Sequence, residues 1–175
     1  RLMRRCPCPV WILQPLHSEF LRVFAAIDTD ADADWQMELN RQILELAAGV
    51  ASSEQCEIHA GCVVPSFEDS PMVSAEYAER LLGMRRTAQA SARDRISELV
   101  EESGLEMPAS RIHCLSGVPG EVISAFSRRE HVDLIVMGSV MRNSADGFLL
   151  GNTAEKVLHS VSCSVLTVKP PAIGH

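Results

Sequence analysis

The stretch Asp133-Leu134-Ile135-Val136-Met137-Gly138-Ser139 contains an uninterrupted apolar run that ends on a glycine and a serine. A short continuous run of this kind is typical of a strand that is buried on both faces of a parallel sheet. Four further apolar segments predict strands, at residues 22–28, 55–64, 111–115 and 164–169. The run at 134–137 is therefore expected to lie inside a sheet, as the fourth of five strands.

The segments between these strands have the periodicity of amphipathic helices. Apolar residues recur at threes and fours over residues 35–51 and again, in a longer pattern, over 72–103. Pro119 and Glu121 favour the first turn of a third helix, and residues 152–160 predict a fourth. This alternation of strands and helices predicts an α/β fold, a doubly wound five-stranded parallel sheet with helices on both faces.

Ligands of doubly wound sheets bind at the carboxyl ends of the strands, where the strand order reverses. Asp28, Val63, Gly117 and the loop after Met137 are expected at that edge. No glycine-rich phosphate motif of the Walker or dinucleotide type is present.

Composition limits the classes of protein. The chain has 175 residues, of which 46% are hydrophobic and 22% charged, as in one globular domain. A net charge of −7 argues against a general nucleic-acid surface. Four arginines of the long helix form either a local basic patch or a solvated helix face: Arg85, Arg86, Arg93 and Arg95. With no long apolar run and no signal peptide, a cytoplasmic location without a membrane partner is expected.

Cysteine and histidine give no catalytic or metal pattern. The six cysteines include no C-x-x-C pair, so reduced structural thiols are expected instead of disulfides or zinc. The six histidines are scattered and accompany no nucleophile motif, so they are interpreted as surface or packing residues. The sequence therefore predicts no catalytic residue and no metal site.

An internal similarity links the two ends of the chain. Residues 2–15 align without gaps with residues 157–170, and Cys8, Val10 and Pro15 match residues of the same type. The similarity is either chance or the trace of a repeat. On the second interpretation, residues 1–16 are the last helix and strand of a preceding homologous domain, and residues 20–170 form the main domain. The apolar strand near residues 10–13 is then expected to pair with the edge strand at 164–169, of this chain or of a neighbour.

The segment from Gly138-Ser139 to Gly151-Asn152-Thr153-Ala154-Glu155, with Asp28 and Gly117-Val118-Pro119-Gly120-Glu121, resembles the universal stress protein family. Nucleotide-binding members carry Gly, two residues, Gly, nine residues and then Gly-Ser or Gly-Thr at this place. The resemblance implies a strand order of 3-2-1-4-5, and residues 4–11 look like the end of the first domain of tandem members. It also implies the nucleotide-binding candidates Asp28, Val63, Gly138, Met141, Gly151, Asn152 and Thr153.

The motif departs from the family pattern at two positions. Met141 stands where the second glycine belongs, and Asn152 replaces the serine or threonine. A methionine there crowds the path of the phosphates, and Asn152 is expected to be a helix N-cap, with Glu155 completing a capping-box pattern. The pocket is therefore expected to persist without tight ATP binding.

Three functions remain open at this point. The first is a non-catalytic stress-response or signalling domain, a dimer or tandem scaffold with a degenerate nucleotide site and no required cofactor. The second is a genuine ATP- or AMP-binding protein or slow ATPase, with Asp28 at the adenosine and Gly138, Asn152 and Thr153 at the phosphates. The third is a carrier of an apolar ligand. The expected partner is a second copy, through residues 164–169, or the preceding tandem domain.

Overall fold

A computed structural model describes residues 6, 8–14, 21–30, 33–64, 66, 75–139 and 151–170. Its strands are β1 (Val10–Ile12), β2 (Arg22–Ala26), β3 (Glu57–Val64), β4 (Ile112–Ser116), β5 (Leu134–Gly138) and β6 (Ser164–Val168). Its α-helices are α1 (Asp34–Glu54), α2 (Ala75–Glu102), α3 (Pro119–Arg129) and α4 (Asn152–Ser160). A short 3₁₀ turn, Ala109–Arg111, precedes β4.

The strands form one six-stranded sheet in the order β1-β6-β5-β2-β3-β4. Strands β2 to β6 are parallel to one another. When these five are counted along the chain, their order is 3-2-1-4-5, which confirms the predicted topology. The chain moves to one side after β2 and to the other after β5, so the switch point lies between these neighbouring strands.

Strand β1 forms an antiparallel edge beside β6. Its register pairs Val10 with Thr167, Trp11 with Leu166 and Ile12 with Val165. The Thr167 hydroxyl donates to the Val10 carbonyl oxygen at 3.2 Å. The expected pairing of the N-terminal strand with the strand at 164–169 is therefore confirmed within this chain. The assignment of residues 1–16 and 20–170 to separate homologous domains stays a prediction.

The sheet is covered on both faces. Strand β5 lies in the middle layer, and Leu134, Ile135 and Val136 are each 0% exposed. Alternate side chains of the strands pack on α1 and α2 on one face and on α3 and α4 on the other. The continuous apolar run at 134–137 is explained by this two-sided burial.

Several element boundaries differ from the prediction by a few residues. Helix α1 continues through Glu54, three residues beyond the apolar pattern, and ends where Gln55 adopts a left-handed conformation with φ of 54°. Strand β3 therefore begins at Glu57 instead of residue 55. Strand β2 ends at Ala26 because the chain leaves the ladder there, although the Ile27 amide still donates to the Gly61 carbonyl oxygen at 2.8 Å.

Within the described ranges, no helix combines the length and the apolar character needed to cross a membrane.

Candidate functional site

A cavity of about 750 Å³ opens at the carboxyl ends of the strands, around the switch point between β2 and β5. This volume lies within the range of small-molecule sites, roughly 300–1,000 Å³. Its walls come from the ends of β2, β3 and β5, from one side of α1 and from the first turns of α3 and α4. The position is the one expected for a ligand of a doubly wound sheet.

Most of the residues predicted for the site line this cavity. They come from four separate parts of the chain: Asp28, Val63, Gly138, Gly151, Asn152 and Thr153. Gly117, expected at the same edge, lines it too. Met141 lies outside the described residues. The fold thus brings together the described candidates, whose role in binding stays a prediction.

The turn after β2 is held by a buried asparagine of α1. The Asn40 side-chain amide donates to the Asp28 carbonyl oxygen at 2.8 Å, and its own oxygen accepts the Asp28 amide at 3.2 Å. Gln36, one helical turn earlier, donates to the same Asn40 oxygen at 3.3 Å. Asn40 is 2% exposed, so its side chain replaces water as the partner of the turn backbone.

The same turn is fixed from two further directions. The Asp28 carboxylate accepts the Asp30 amide at 3.1 Å, as in an Asx turn. Arg95 of α2 donates to the Thr29 carbonyl oxygen at 2.5 Å. Sequence reasoning placed Asp28 at the site but missed Asn40, Gln36 and Arg95. The sequence does contain a signal for two of them, because the polar residues Gln36 and Asn40 interrupt the apolar stripe of α1 that includes Leu39 and Ile43.

Gly138 has a packing role at the end of β5. A Cβ atom added to it would lie 3.0 Å from Leu39 Cδ2, so the absence of a side chain lets α1 approach the strand end. The next residue, Ser139, donates both its amide and its hydroxyl to the Val168 carbonyl oxygen, at 2.9 and 3.2 Å. Its own carbonyl oxygen accepts the Gly151 amide at 2.9 Å. These bonds bring the end of β5 to the beginning of α4.

The beginning of α4 differs from the prediction by one residue. Gly151 is the N-cap, Asn152 is the first helical residue, and no side chain caps the helix. The predicted capping role of Asn152 was wrong, because the helix begins one residue earlier than that role requires. The first intrahelical bond runs from the Glu155 amide to the Gly151 carbonyl oxygen. The amides of Asn152, Thr153 and Ala154 therefore precede any acceptor within the helix and point outward from its positive end.

Two glycines bring the beginning of α3 beside that of α4. Gly117 has φ of 137°, and an added Cβ would lie 2.7 Å from Val122 Cγ1, so only glycine fits this turn. A Cβ on Gly120 would lie 2.5 Å from Lys156 Cβ, so the two helices are in close contact. Lys156 forms an exposed ion pair with Glu121 at 3.4 Å.

The cavity therefore has two ends of opposite polarity. Its α1 side carries the carboxylates of Asp28 and Asp30 with the amides of Gln36 and Asn40. Its α4 side carries the first turns of α3 and α4, and its floor is apolar, with Phe24, Ile123 and Met137. Hydroxyl and amino groups suit the first end and an anion suits the second. In the described part of the chain, no three His, Cys, Asp or Glu side chains gather as metal ligands would.

The model of the universal stress protein family matches residues 26–169, which is most of the chain. The chain belongs to this family. The match includes the end of β2, all of β3 through β6 and the residues named above for the cavity except Phe24.

The curated relatives include universal stress proteins of the E type. Universal stress protein E of Escherichia coli K12 is 27% identical over 97% of this chain and 53% of the relative. The homologue from Haemophilus influenzae is 25% identical over 97% of this chain and 55% of the relative. The chain thus spans about half the length of these two relatives.

Solved structures show the same fold. A Pseudomonas aeruginosa PAO1 protein of unknown function superposes with a TM-score of 0.75 at 24% identity, covering 97% of this chain and 54% of that one. A universal stress protein crystallised in complex with cAMP superposes with a TM-score of 0.56 at 16% identity, covering 88% of this chain and all of that one (100%).

Proposed function

We propose that this universal stress protein domain is a non-catalytic stress-response module that binds an adenine nucleotide in the cavity at the switch point. The observation that carries the proposal is the polarity of that cavity, with carboxylates and amides at the α1 side and helix N-termini at the α4 side. A nucleoside has hydroxyl and amino donors for the first side, and a phosphate is the anion that suits the second.

The phosphate side is the weaker of the two. Asn152 is exposed and replaces the hydroxyl residue of nucleotide-binding relatives, and Met141 replaces their second glycine. The nearby cation, Lys156, is already paired with Glu121. Backbone amides of the first turn of α4 remain to hold one phosphate group, so AMP or cAMP suits the cavity better than ATP does. The structural neighbour solved in complex with cAMP supports this ligand class.

The absence of catalysis is proposed from the same geometry. Asp28 and Asp30 are the carboxylates among the described lining residues, and both belong to the turn held by α1. The helix N-terminus that suits a phosphate lies on the other face of the sheet. A carboxylate that activates water must lie within hydrogen-bond reach of the water that attacks the phosphate. The separation between the turn at Asp28 and the beginning of α4 opposes such an arrangement.

Calorimetric titration of the reduced chain with AMP, cAMP and ATP, with magnesium, tests the proposal. AMP and cAMP are expected to bind more tightly than ATP. Asp28→Ala should weaken AMP binding by at least about tenfold, or about 1.4 kcal/mol. Asp94→Ala, an exposed acid on α2, is the matched control and should leave binding unchanged. The double variant Met141→Gly/Asn152→Ser should strengthen ATP binding by a similar factor.

Two results would overturn the proposal. If none of the three nucleotides binds at millimolar concentration, the cavity is not a nucleotide site. Phosphate release from ATP above the protein-free rate, lost in Asp28→Ala, would show that the domain is an ATPase.

The scaffold part of the proposal rests on β1. Under the alignment of residues 2–15 with 157–170, Trp11 corresponds to Leu166, and these two residues lie opposite each other at the centre of the β1–β6 ladder. Val10 and Ile12 correspond to Val165 and Thr167, and they pair crosswise. This is the pattern of an isologous two-fold contact between equivalent strands. It supports a preceding tandem domain as the partner, with β1 as its last strand, or another chain whose β6 pairs with this one where β1 is absent.

A further inference from the structure

Two cysteines lie directly opposite each other on neighbouring strands. Cys62 of β3 pairs with Cys114 of β4 in the parallel register, and both have free thiols. Neighbouring strands are about 4.8 Å apart, which lies within the Cα separation of disulfides, roughly 4.4–6.8 Å. Because opposed residues of a ladder point to the same face, the two thiols lie side by side beneath α2.

The two thiols differ in exposure. Cys62 is 3% exposed and forms part of the cavity wall. Burial, together with the neighbouring Cys114 thiol, raises the pKa of its thiol to about 12, and a hydrogen bond with Thr29 opposes the shift. Cys114 is half-buried on β4, the last strand of the sheet. Cys114 is therefore the more exposed of the two residues.

We propose that Cys62 and Cys114 form a reversible dithiol–disulfide pair that responds to peroxides, with Cys114 oxidised first and Cys62 as the resolving thiol. In the first step, the Cys114 sulfur attacks a peroxide oxygen, the O–O bond breaks, and a sulfenic acid and water form. In the second, the Cys62 sulfur attacks the Cys114 sulfur, the S–O bond breaks, and the hydroxide leaves as water with the Cys62 proton. Both thiols together lose two electrons, and one hydrogen peroxide is reduced to water.

The geometry also favours reduction of the disulfide back to two thiols. Directly opposed residues lie near the short end of the range of Cα separations in disulfides, and a bond that must push two strands apart is strained and more easily reduced. The bond would tie the edge strand β4 to β3 at the height of the cavity. It would also turn the Cys62 sulfur away from Thr29, which follows Asp28 in the turn of the site. Oxidation is therefore expected to change nucleotide affinity, a consequence that rests on the proposed function.

The other cysteines provide internal controls. Cys163 packs in the core on the opposite face of the sheet. Burial raises the pKa of its thiol to about 11. Cys56 precedes β3 and is half-buried like Cys114, but β4 begins opposite Ala60. Cys56 is therefore a matched thiol of similar exposure that has no opposed cysteine in the β3–β4 register.

The test is peptide mapping of the full chain after exposure to a small excess of hydrogen peroxide and alkylation of the remaining thiols. Cleavage after Glu57 separates Cys56 from Cys62, so the two are scored independently. A linked peptide pair containing Cys62 and Cys114 is expected, lost on treatment with dithiothreitol. Its yield should exceed that of any other pair by about tenfold. Cys56→Ser should keep the link, and Cys114→Ser should abolish it and leave Cys62 reduced.

The outcomes separate the two parts of the inference. Conversion of Cys114 to sulfinic acid without a link, or an equal yield of the link in urea-unfolded chain, would overturn the disulfide pair. Both readouts use the unsubstituted chain, so they stand even where Cys114→Ser fails to fold. A link that leaves AMP affinity unchanged would overturn the coupling alone. Absence of nucleotide binding in the reduced chain would overturn the proposed function and leave the disulfide result intact.

Discussion

Asn40 shows how one side chain determines the shape of the site. Its amide satisfies both the carbonyl oxygen and the amide of Asp28, at 2.8 and 3.2 Å, from a position that is 2% exposed. A side chain with one donor and one acceptor at fixed spacing is needed for that double contact. The orientation of the Asp28 carboxylate therefore depends on a residue of the neighbouring helix, and not on the β2 strand alone.

Replacing Asn40 by leucine, which has a similar shape, should destabilise the fold. Both backbone groups of Asp28 would lose their partner, and the free energy of unfolding should fall by roughly 2–3 kcal/mol. Urea unfolding followed by circular dichroism measures the loss. Glu45→Leu, on the exposed side of the same helix, is the control and should change stability by less than about 0.5 kcal/mol. Equal stability of the two variants would show that water replaces Asn40 at the turn.

At the scale of elements, the short strand β1 covers the edge of β6. It has three residues, and its ladder with β6 is reinforced by Thr167 and by Ser164, whose hydroxyl accepts the Gln14 amide at 3.1 Å. Without β1, the edge of β6 would present unpaired backbone groups, which native proteins rarely leave open. The β1 strand thus occupies the place that a second copy of β6 would take.

A chain that begins at residue 20 is therefore expected to dimerise through β6. The equivalence of Trp11 and Leu166 at the ladder centre predicts antiparallel pairing of two β6 strands around Leu166. Sedimentation velocity over a concentration series measures the association, with the full chain as the control that should remain monomeric over the same range. A monomeric truncated chain that is as stable as the full one would contradict the proposed scaffold role.

The strands and the layer order were predictable because their apolar patterns are local. The run at 134–137 and the alternation of elements predicted the parallel sheet, and the repeat predicted the partner of β1. The end of α1 was not predictable, since Ser52 to Glu54 carry no apolar pattern and the helix ends by a left-handed residue at Gln55. The Asn40 contact and the opposition of Cys62 and Cys114 depend on tertiary placement, which spacing along one element does not encode.

At the scale of the whole molecule, the sheet has a cavity at the carboxyl ends of its strands and a partly buried histidine pair nearer their amino ends. His59 Nδ1 and His113 Nε2 lie 2.9 Å apart, and the two rings stack at 5.2 Å. The rings of Phe24 and Phe126 pack around His113. His59 Nε2 is buried without a hydrogen-bond partner and lies 3.6 Å from a carboxylate oxygen of Glu57.

The charges around the pair disfavour its protonation. Burial lowers the pKa of both imidazoles, that of His113 to about 4, and the positive charge of Arg22 acts in the same direction on His59. Glu57 opposes this shift on His59, but its carboxylate is shared with Arg111 at 2.6 Å and Arg22 at 3.3 Å. Burial works against ionisation of Glu57, yet these ion pairs keep the pKa of its carboxyl below its usual value.

Acidification should therefore destabilise the domain before Glu57 and Glu130 titrate. The unfolded chain binds protons at its histidines near pH 6.5, whereas His113 binds one in the folded state only near pH 4. The pair's contribution to stability is complete above pH 6.5 and is lost as the pH falls toward 4, because the unfolded state takes up more protons there.

The double variant His59→Gln/His113→Gln removes this titration and should flatten the pH profile of stability. Between pH 7 and pH 5, the unsubstituted chain is expected to lose roughly 1–2 kcal/mol more unfolding free energy than the variant. Urea unfolding at closely spaced pH values measures the difference, and this window avoids the range in which Glu57 and Glu130 titrate. His159→Gln, on the exposed side of α4, should retain the full loss. A double variant with the same pH dependence as the unsubstituted chain would show that the histidine pair is not the acid-sensitive element.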